Sequence, residues 1–341
     1  MSNPGERLIA PVVAAIDAAG DVAALRGAAQ GIRDLALQLL ELDLGARGLT
    51  ELISRLNDRL TTRLVALLAH EQRMDLGRAC WLAFGSQGRA EQTVVTDQDN
   101  GLVFVSDAPD AERAAWLALG RRVNDALDAC GYPLCRGNVM AGNPQCCLTQ
   151  DEWCRRFSDW MEHGAPEDLL AASIFFDLRP IAGQLALARP LREHITQQAA
   201  RLPRFIRQMA LNALSHGAPL GWLGGIDGER IDLKMQGTTL FVDAARLYAL
   251  AHGADATGTR ARLQAAAAAL GVPAHESEAW VAGFEFLQAL RLRVQLSPGE
   301  AADDPNTLDV DTLNDLDRRV LIESLRAARR LQQRMQLDYE R

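Results

Sequence analysis

Residues 81–104 read WLAFGSQGRAEQTVVTDQDNGLVF. A short apolar run leads into a Gly-Ser turn, and Asp97 and Asp99 stand one residue apart just ahead of a second apolar run. Two carboxylates this close repel each other and cost free energy unless a cation or hydrogen-bond donors compensate them. The identity of the compensating group is therefore the main question that the sequence raises.

The first half of this stretch predicts a strand, a turn and a short helix. The strand is expected over 81–84 and the helix over roughly 87–93. Gly85 permits a sharp turn and close approach of the backbone to a ligand. Ser86 could cap the helix or hold an anion at its N-terminus, and Arg89 adds a cation about one turn further along.

The second half predicts a strand that begins near Thr96 and carries both acids on one face, because side chains alternate along a strand. Such a pair suits a hard divalent cation such as Mg²⁺, whose remaining ligands would be phosphate oxygens and water. Asp-x-Asp alone is weak evidence, since it recurs at Asp309–Asp311 and Asp315–Asp317, where acids favour a helix N-terminus. A polar strand edge or an Asx turn is the alternative interpretation.

Length and composition set the broad class. A chain of 341 residues favours two or more domains, and 48% apolar with 23% charged residues is typical of a soluble globular protein. The sequence contains neither the apolar run of about 20 residues that a membrane span needs nor a signal-peptide pattern, so we expect a cytoplasmic protein without membrane contact. A net charge of −8 argues against general nucleic-acid binding.

Cysteine usage agrees with a reducing compartment, because the sequence has no Cys-x-x-Cys. Zinc binding by the cluster between Cys135 and Cys154 is an alternative, but its spacing does not match the usual zinc patterns. Buried thiols are the favoured interpretation for the six cysteines, which are Cys80, Cys130, Cys135, Cys146, Cys147 and Cys154.

The pattern along the chain changes twice. Residues 5–75 have helical spacing, with one apolar face that runs from Leu49 to Leu68. Residues 76–150 alternate short apolar runs with an amphipathic helix over 110–130, which indicates α/β structure. From 151 the pattern is helical again, apart from a Gly-rich break. The predicted strands are 81–84, 101–105 and 132–140, the break is 219–237, and the last four predicted helices are 238–252, 257–270, 276–296 and 309–338.

The stretch GSQGRAEQTVVTDQDNGLVF (85–104) resembles the active-site signature of the nucleotidyltransferase superfamily, in the branch of the bacterial PII-protein uridylyltransferases. It is similar to a PII-uridylyltransferase-like group whose members are often fused to CBS and cyclic-nucleotide-binding domains. The resemblance covers roughly residues 20–335, and the later similar blocks are CRGNVMAGNP (135–144), SIFFDLRPIAG (173–183) and IDLKMQGTTLFVDAARLYAL (231–250).

The resemblance implies an α+β fold that is mostly α. A small nucleotidyltransferase-type domain with a mixed β-sheet is expected over 76–183. An N-terminal helical segment would cover 1–75, and a C-terminal all-α domain over 184–341 would close the cleft. The usual sensor domains of relatives would be replaced by the N-terminal helices.

The resemblance also implies a mechanism. Gly85 and Ser86 would hold the triphosphate of an NTP with help from Arg89. Asp97 and Asp99 would bind Mg²⁺ or Mn²⁺, two ions in such sites, which orient an acceptor hydroxyl for in-line attack and stabilise the pyrophosphate leaving group.

Two further residues are candidates on the same basis. Asp177 would be the third catalytic carboxylate, against the alternative that it pairs with Arg179 or caps a helix. Lys234 would reach phosphates from the helical domain. Asp232 and Asp243 are weaker candidates, because ordinary salt bridges explain them equally well.

The expected activity is transfer of NMP from an NTP to a hydroxyl of a PII-type protein, as in uridylyltransferases, or of a small molecule. The alternatives are a catalytically silent NTP-binding regulatory module and a helical scaffolding or toxin–antitoxin-like protein. Gln145 and Cys146 stand where relatives often carry an aromatic–basic pair, which weakens any transfer of acceptor specificity. The oligomeric state stays open, a homo-oligomer included.

Overall fold

The computed structural model describes residues 4–42, 45–165, 168–169, 172–222, 224–296 and 304–340. The chain forms two compact units. The first comprises Met1–Ser158 and Ile174–His194, and the second comprises Asp159–Ser173 and Ile195–Arg341. The three-part division expected from the sequence stays a prediction beside these two units.

Three helices open the first unit, namely α1 (Pro4–Ala18), α2 (Val22–Glu41) and α3 (Ala46–Glu71). Asp21 caps α2 by accepting a hydrogen bond of 2.8 Å from the Ala24 N–H, which satisfies one of the orphan donors of a helix N-terminus. The apolar face predicted on α3 is largely buried, as Leu49, Leu56, Leu60 and Leu64 show. This helical region confirms the prediction for 5–75 in the residues that the structure describes.

A mixed sheet of four strands forms the centre of the first unit. The strands are β1 (Ala79–Ala83), β2 (Asn100–Phe104), β3 (Cys147–Thr149) and β4 (Arg179–Gly183), in the order β3-β2-β1-β4. β1 is antiparallel to β2 and β4, whereas β2 is parallel to β3. The parallel pair needs a crossover, which α5 (Pro109–Ala129) supplies. The predicted class, α+β and mostly α with a small mixed sheet, is confirmed.

Aromatic side chains fix the end of β1, where the Gly-Ser turn begins. Phe84 is fully buried and packs on Phe175 at 4.9 Å and on Trp153 at 5.8 Å between ring centroids. Trp153 belongs to α6 (Gln150–His163), and its indole N–H donates to the Leu102 carbonyl of β2 at 3.1 Å. Packing of this kind holds the residue before the turn in one position.

Several predicted boundaries in this region are wrong. Residues 132–140 contain turns instead of a strand. Asn138 has a φ of +55°, and the segment accepts backbone hydrogen bonds from Gln98 and Asn100 at two separated carbonyls and does not form a continuous ladder. The predicted helix over 87–93 is the single turn α4 (Gly85–Gly88), because Ala90 has a φ of +58°. The second strand begins at Asn100 and not near Thr96.

The second unit is helical. Its longer described helices are Pro203–Leu214, Thr239–Ala251, Thr259–Leu270, Ala274–Leu296 and Asp315–Tyr339, and a further helix, Arg189–Ala199, contains the boundary between the units. The unit also contains a two-stranded antiparallel ribbon of β5 (Arg230–Asp232) and β6 (Thr307–Asp309). The predicted loop 219–237 thus contains a strand, and the last helix begins at Asp315 and not at 309 because β6 pairs with β5.

Among the described residues, we find no helix that combines the length and the apolar character of a membrane-spanning segment.

Candidate functional site

The Gly-Ser turn lies directly against one of the two acids. The Phe84 N–H donates to the Asp99 carbonyl at 2.9 Å, which continues the pairing of β1 with the segment before β2. Gly85 then adopts a φ of +51°, and a Cβ built on it would lie 2.6 Å from Asp99 Oδ2. Glycine suits this position, because it adopts a positive φ readily and because a Cβ would collide with the Asp99 carboxylate unless that side chain moved. Turn and carboxylate therefore form one site.

The acid pair lies at the edge of β2 with alternating exposure. Asp97 is exposed and Asp99 half-buried, whereas Thr96, Gln98 and Asn100 are buried. The structure thus brings the two carboxylates together on one side, as the sequence predicted, although the segment is extended chain ahead of the strand. One oxygen of each carboxylate and the Cys135 thiol lie within 4.8 Å of one another. Among the described residues this is the one cluster of three or more such groups.

A buried amide network holds the acid-bearing segment from behind. The Asn124 amide of α5 donates to Gln98 Oε1 and to Asn100 Oδ1, each at 2.9 Å. The N–H groups of Ala141 and Gly142 donate to Asn100 Oδ1 at 2.8 Å and to Asn124 Oδ1 at 2.9 Å. Satisfied polar networks of this kind rigidify a site. Sequence reasoning missed this network, although Asn124 interrupts the apolar face of a helix and was a signal for it.

Cys135 is the third member of the cluster. The segment that carries it runs beside the acids, because Gln98 N–H donates to the Pro133 carbonyl at 3.1 Å and Asn100 N–H to the Val139 carbonyl at 3.0 Å. Burial, and then the neighbouring Asp99 carboxylate, raise the pKa of Cys135 to about 11. All six cysteines are free thiols. Four of them are buried, as predicted, whereas Cys135 and Cys154 are half-buried.

Ser86 lies at the beginning of the short turn α4. Its hydroxyl is 3.3 Å from the Thr96 hydroxyl, and the turn has no side-chain cap. The capping role considered for Ser86 is therefore not the one that the structure shows. The hydroxyl instead connects the turn to the segment that leads into the acid pair.

Arg89 and Asp177 form a buried ion pair. Arg89 Nη1 donates to Asp177 Oδ2 at 2.5 Å, and Arg89 Nε donates to Glu91 Oε2 at 2.9 Å. The Asp177 side chain is fully buried and that of Arg89 is 12% exposed. Asp177 is not part of the Asp97–Asp99–Cys135 cluster. The alternative interpretation expected Asp177 to pair with Arg179, whereas in the structure it pairs with Arg89.

Arg179 holds the other end of the Gly-Ser turn. Its guanidinium donates to the carbonyls of Gln87 and Gly88 at 2.6 and 3.1 Å. The same group pairs with Asp58 of α3 at 2.8 Å. Last-turn carbonyls lack partners within a helix, so an arginine fork satisfies them. Sequence reasoning did not assign this role to Arg179.

A polar stripe on α3 contacts the residues after the turn. Ser54 Oγ accepts a hydrogen bond of 3.0 Å from the Gln92 N–H, and the Asn57 amide donates to Gln92 Oε1 at 3.2 Å. Tyr132 donates its hydroxyl to Asn57 Oδ1 at 2.7 Å. The signal in the sequence was the helical spacing of polar residues on one face, of which Ser54, Asn57 and Thr61 are buried and Asp58 is half-buried.

In the second unit, Lys234 begins a π-helical turn, Lys234–Thr238, and its side chain is exposed. Asp232 accepts hydrogen bonds from the N–H groups of Lys234 and Met235 at 2.8 and 2.9 Å. Asp243 pairs with Arg246 at 2.7 Å. Asp232 and Asp243 therefore have local structural partners, whereas the exposed ammonium of Lys234 lies on an unusual turn of a type that is frequent at functional sites.

The donor set of the first unit fits a divalent cation. Two carboxylates within reach of one ion match the oxygen preference of Mg²⁺ or Mn²⁺. The residues present therefore fit a divalent cation.

Comparison with protein families agrees with this geometry. Residues 30–167 match the model described as "Putative nucleotidyltransferase DUF294". Residues 203–339 match the model described as "Putative nucleotidyltransferase substrate binding domain". No curated protein matches the chain. The Gly-Ser turn, the acid pair and the Cys135 segment all lie within the first match, and Lys234 lies within the second. The chain thus belongs to this family of nucleotidyltransferases.

Proposed function

We propose that this protein is a metal-dependent nucleotidyltransferase that transfers NMP from an NTP to a hydroxyl group and releases pyrophosphate. The acceptor hydroxyl would lose its proton, a bond would form between its oxygen and the α-phosphorus, and the bond to pyrophosphate would break. A PII-type protein, in a uridylyltransferase-like reaction, or a small molecule would supply the hydroxyl.

One observation carries this proposal. The Gly85 backbone lies so close to Asp99 that a Cβ would fall 2.6 Å from the carboxylate oxygen. A turn that can receive phosphates and a pair of acids that can receive a metal are therefore in direct contact. Structural acids at a strand edge, the alternative interpretation, give no reason for the turn to approach a carboxylate this closely.

The proposed roles of the residues follow from their positions. Asp97 and Asp99 hold the cation, and Gly85 with the Ser86 hydroxyl receives phosphate oxygens beside it. A divalent metal ion, when bound, supplies positive charge that offsets the charge of the triphosphate and of the leaving pyrophosphate. The family description of the second unit supports a substrate-binding role for the exposed Lys234.

Arg89 and Asp177 have more than one role open to them. Arg89 follows the turn, but its guanidinium pairs with both Asp177 and Glu91, so it would attract a phosphate there only if it exchanged one of these partners. The buried Asp177 would serve as the third carboxylate only if it exchanged this partner for a metal or a water. Its role as a catalytic group stays a prediction.

A second candidate function is an NTP-binding regulatory module without catalysis. The observation that favours it is the composition of the cluster, which holds two carboxylates and a thiol and lacks Asp177. Both functions require nucleotide binding, and only the first requires release of pyrophosphate.

The test is thermal unfolding with each of the four NTPs, with and without Mg²⁺. A ligand at about 100 times its dissociation constant stabilises the folded state by about 2.7 kcal/mol, which shifts the transition by several degrees. We expect one NTP to give a Mg²⁺-dependent shift that Asp97→Asn/Asp99→Asn abolishes. Asp309→Asn/Asp311→Asn is the matched control, because it changes an Asp-x-Asp pair whose Asp309 carboxylate accepts from the Asp311 N–H at 3.0 Å.

Pyrophosphate release with the same NTP then separates the two candidate functions. A wild-type protein that binds Mg²⁺–NTP and never releases pyrophosphate, with PII-type protein present, would favour the regulatory module. No shift with any NTP would rule out both.

A further inference from the structure

The Asp97–Asp99 pair has a sulfur neighbour that the proposed reaction does not use. The Cys135 thiol and one oxygen of each carboxylate lie within 4.8 Å of one another. Magnesium sites are built from oxygen ligands, and a thiol contributes little to the binding of a hard cation. The thiol also hydrogen-bonds to the Asp99 side chain, so it shares this carboxylate with any ion that binds there.

The thiol is held in the cluster by the backbone on both sides. The Pro133 carbonyl accepts from Gln98 N–H and the Val139 carbonyl accepts from Asn100 N–H, at 3.1 and 3.0 Å. Between these two bonds the chain makes a turn, closed by the Asn138 N–H on the Cys135 carbonyl at 2.9 Å. The position of Cys135 beside Asp99 is thus built into the same scaffold that presents the acids.

The three groups can reach a single ion. Zinc lies about 2.3 Å from a thiolate sulfur and about 2.0–2.2 Å from a carboxylate oxygen, so its ligands stand roughly 3.5 Å apart in a tetrahedral site. The spread of at most 4.8 Å exceeds this value, so binding would draw the three ligand atoms together. Asp97 is exposed, so its side chain can turn and a fourth ligand can come from solvent or a phosphate.

We propose that Cys135 is a third protein ligand at the Asp97–Asp99 site and makes it a binding site for a thiophilic divalent cation such as Zn²⁺. The mixed set of one sulfur and two oxygens is one that Zn²⁺ accepts and Mg²⁺ does not favour. Zn²⁺ at this site would compete with Mg²⁺, so the cation that occupies the site would regulate the transferase. The regulatory role in this inference rests on the proposed function, whereas the binding of the ion does not.

Cadmium is the probe, because its bond to a thiolate gives an ultraviolet charge-transfer band that carboxylates alone do not give. Titration of the metal-free full-length protein with Cd²⁺ should give one such band that saturates at one ion per chain. Cys135→Ser should abolish the band and weaken Zn²⁺ binding by more than about tenfold, since loss of even an outer partner of a ligand costs about 10–100-fold. Cys154→Ser is the matched control, because Cys154 is also half-buried and lies outside the cluster.

Two further measurements test whether the ion that gives the Cd²⁺ band is also bound by Asp97 and Asp99, and they do not depend on the Cys135→Ser variant. Asp97→Asn/Asp99→Asn should shift the Cd²⁺ titration to higher concentration, and excess Mg²⁺ should do the same in the wild type. In the wild type, Zn²⁺ should protect Cys135 from alkylation by N-ethylmaleimide, mapped by mass spectrometry, while Cys154 stays as reactive as before.

A wild type without the band, or a band that survives Cys135→Ser, would overturn the inference. The same holds if Cys135 is alkylated equally fast with and without Zn²⁺. Failure of the proposed function is distinguished by the Mg²⁺–NTP thermal shift, which is measured without Cd²⁺ or Zn²⁺. An NTP thermal shift without the Cd²⁺ band would contradict only the role of Cys135 as a ligand. A Cd²⁺ band without any NTP thermal shift would contradict the nucleotide site and would still support the ion site.

Discussion

The complete burial of the Asp177 side chain limits the roles that this residue can have. Its side chain is fully buried and bonded to Arg89, whereas Asp97, two residues from Asp99, is exposed. A buried carboxylate that lost its cation would keep an uncompensated charge in a low-dielectric region. The contribution of the Arg89–Asp177 pair to the free energy of unfolding can therefore be measured separately from any catalytic role of Asp177.

We expect Arg89→Gln to destabilise the protein by about 3–5 kcal/mol, because it removes an ionic partner of the fully buried Asp177. Asp177→Asn/Arg89→Gln should recover part of this loss, and urea unfolding measures both. Arg47→Gln, which breaks an exposed pair with Glu51, should have little effect. Arg89→Gln with unchanged stability would show that the pair does not hold Asp177 in solution.

At the scale of elements, the short turn α4 depends on neighbours far away in sequence. Four residues cannot form a stable helix alone. Arg179 of β4 satisfies the carbonyls at the end of the turn, and Asp58 of α3 holds the arginine. The phosphate-binding role proposed for the turn therefore rests on a strand and a helix that contribute no ligand.

Replacement of this arginine should loosen the turn. We expect Arg179→Met to cost about 1–3 kcal/mol, since it removes the ion pair with Asp58 and the hydrogen bonds to two carbonyls, and to weaken Mg²⁺–NTP binding in the thermal-shift assay. Arg59→Met is the matched control, because Arg59 lies next to Asp58 on α3 and makes a half-exposed pair with Asp17. Equal nucleotide affinity in the two variants would contradict a positioning role for Arg179.

The junction of β3 and α6 is a second element-scale feature. The Thr149 hydroxyl lies 3.4 Å from the Glu152 N–H, and Glu152 accepts from the Thr149 N–H at 2.8 Å, which is a capping box. Arg113 of α5 pairs with the same carboxylate at 2.7 Å. Burial acts to raise the pKa of Glu152, but these hydrogen bonds outweigh it and leave the pKa below its usual value.

A lowered pKa in the folded state fixes the sign of a pH effect. The carboxylate contributes stability above its usual pKa of 4.5, and the contribution is lost as the pH falls through the lower folded value. We expect Glu152→Gln to be about 1–2 kcal/mol less stable than wild type at pH 7, with the difference shrinking below pH 4.5, in urea titrations at each pH. Glu51→Gln, at an exposed site, should show no such convergence. A constant difference at all pH values would contradict the assignment.

At the scale of the whole molecule, each compact unit has its own apolar core. Leu60 is fully buried in the first unit and Leu287 in the second. Chains with separate cores commonly unfold in more than one step. The two family matches fall one in each half of the chain, in line with two separate cores.

We expect differential scanning calorimetry to resolve two transitions. Leu60→Ala and Leu287→Ala each remove a buried side chain at a cost of about 2–5 kcal/mol, so each should lower one transition by several degrees and leave the other in place. Mg²⁺–NTP should raise the transition that Leu60→Ala lowers, because the candidate site lies in the first unit. A single transition that both variants shift equally would indicate one cooperative unit.

The sequence by itself determined the helical N-terminal region, the alternation around the sheet and the pairing of the two acids on one side. These features depend on periodicity and on residue types that act within a few positions, such as Gly85 between a strand and a polar segment. The same stretch also carried the family resemblance. Boundaries were less accurate, because positive φ values at Ala90 and Asn138 interrupt the helix predicted over 87–93 and the strand predicted over 132–140.

Only the tertiary structure decided the partners. The contacts between Arg89 and Asp177 and between Arg179 and Asp58 join residues 88 and 121 positions apart, and no local pattern specifies which charges meet. The three residues of β3 form a strand because they pair in parallel with β2 after a helical crossover. Their own sequence carries no strand pattern that would predict this. The place of Cys135 beside the acids likewise comes from backbone bonds between distant segments. The sequence thus determined local conformation and the type of chemistry, whereas the choice among distant partners required the packed fold.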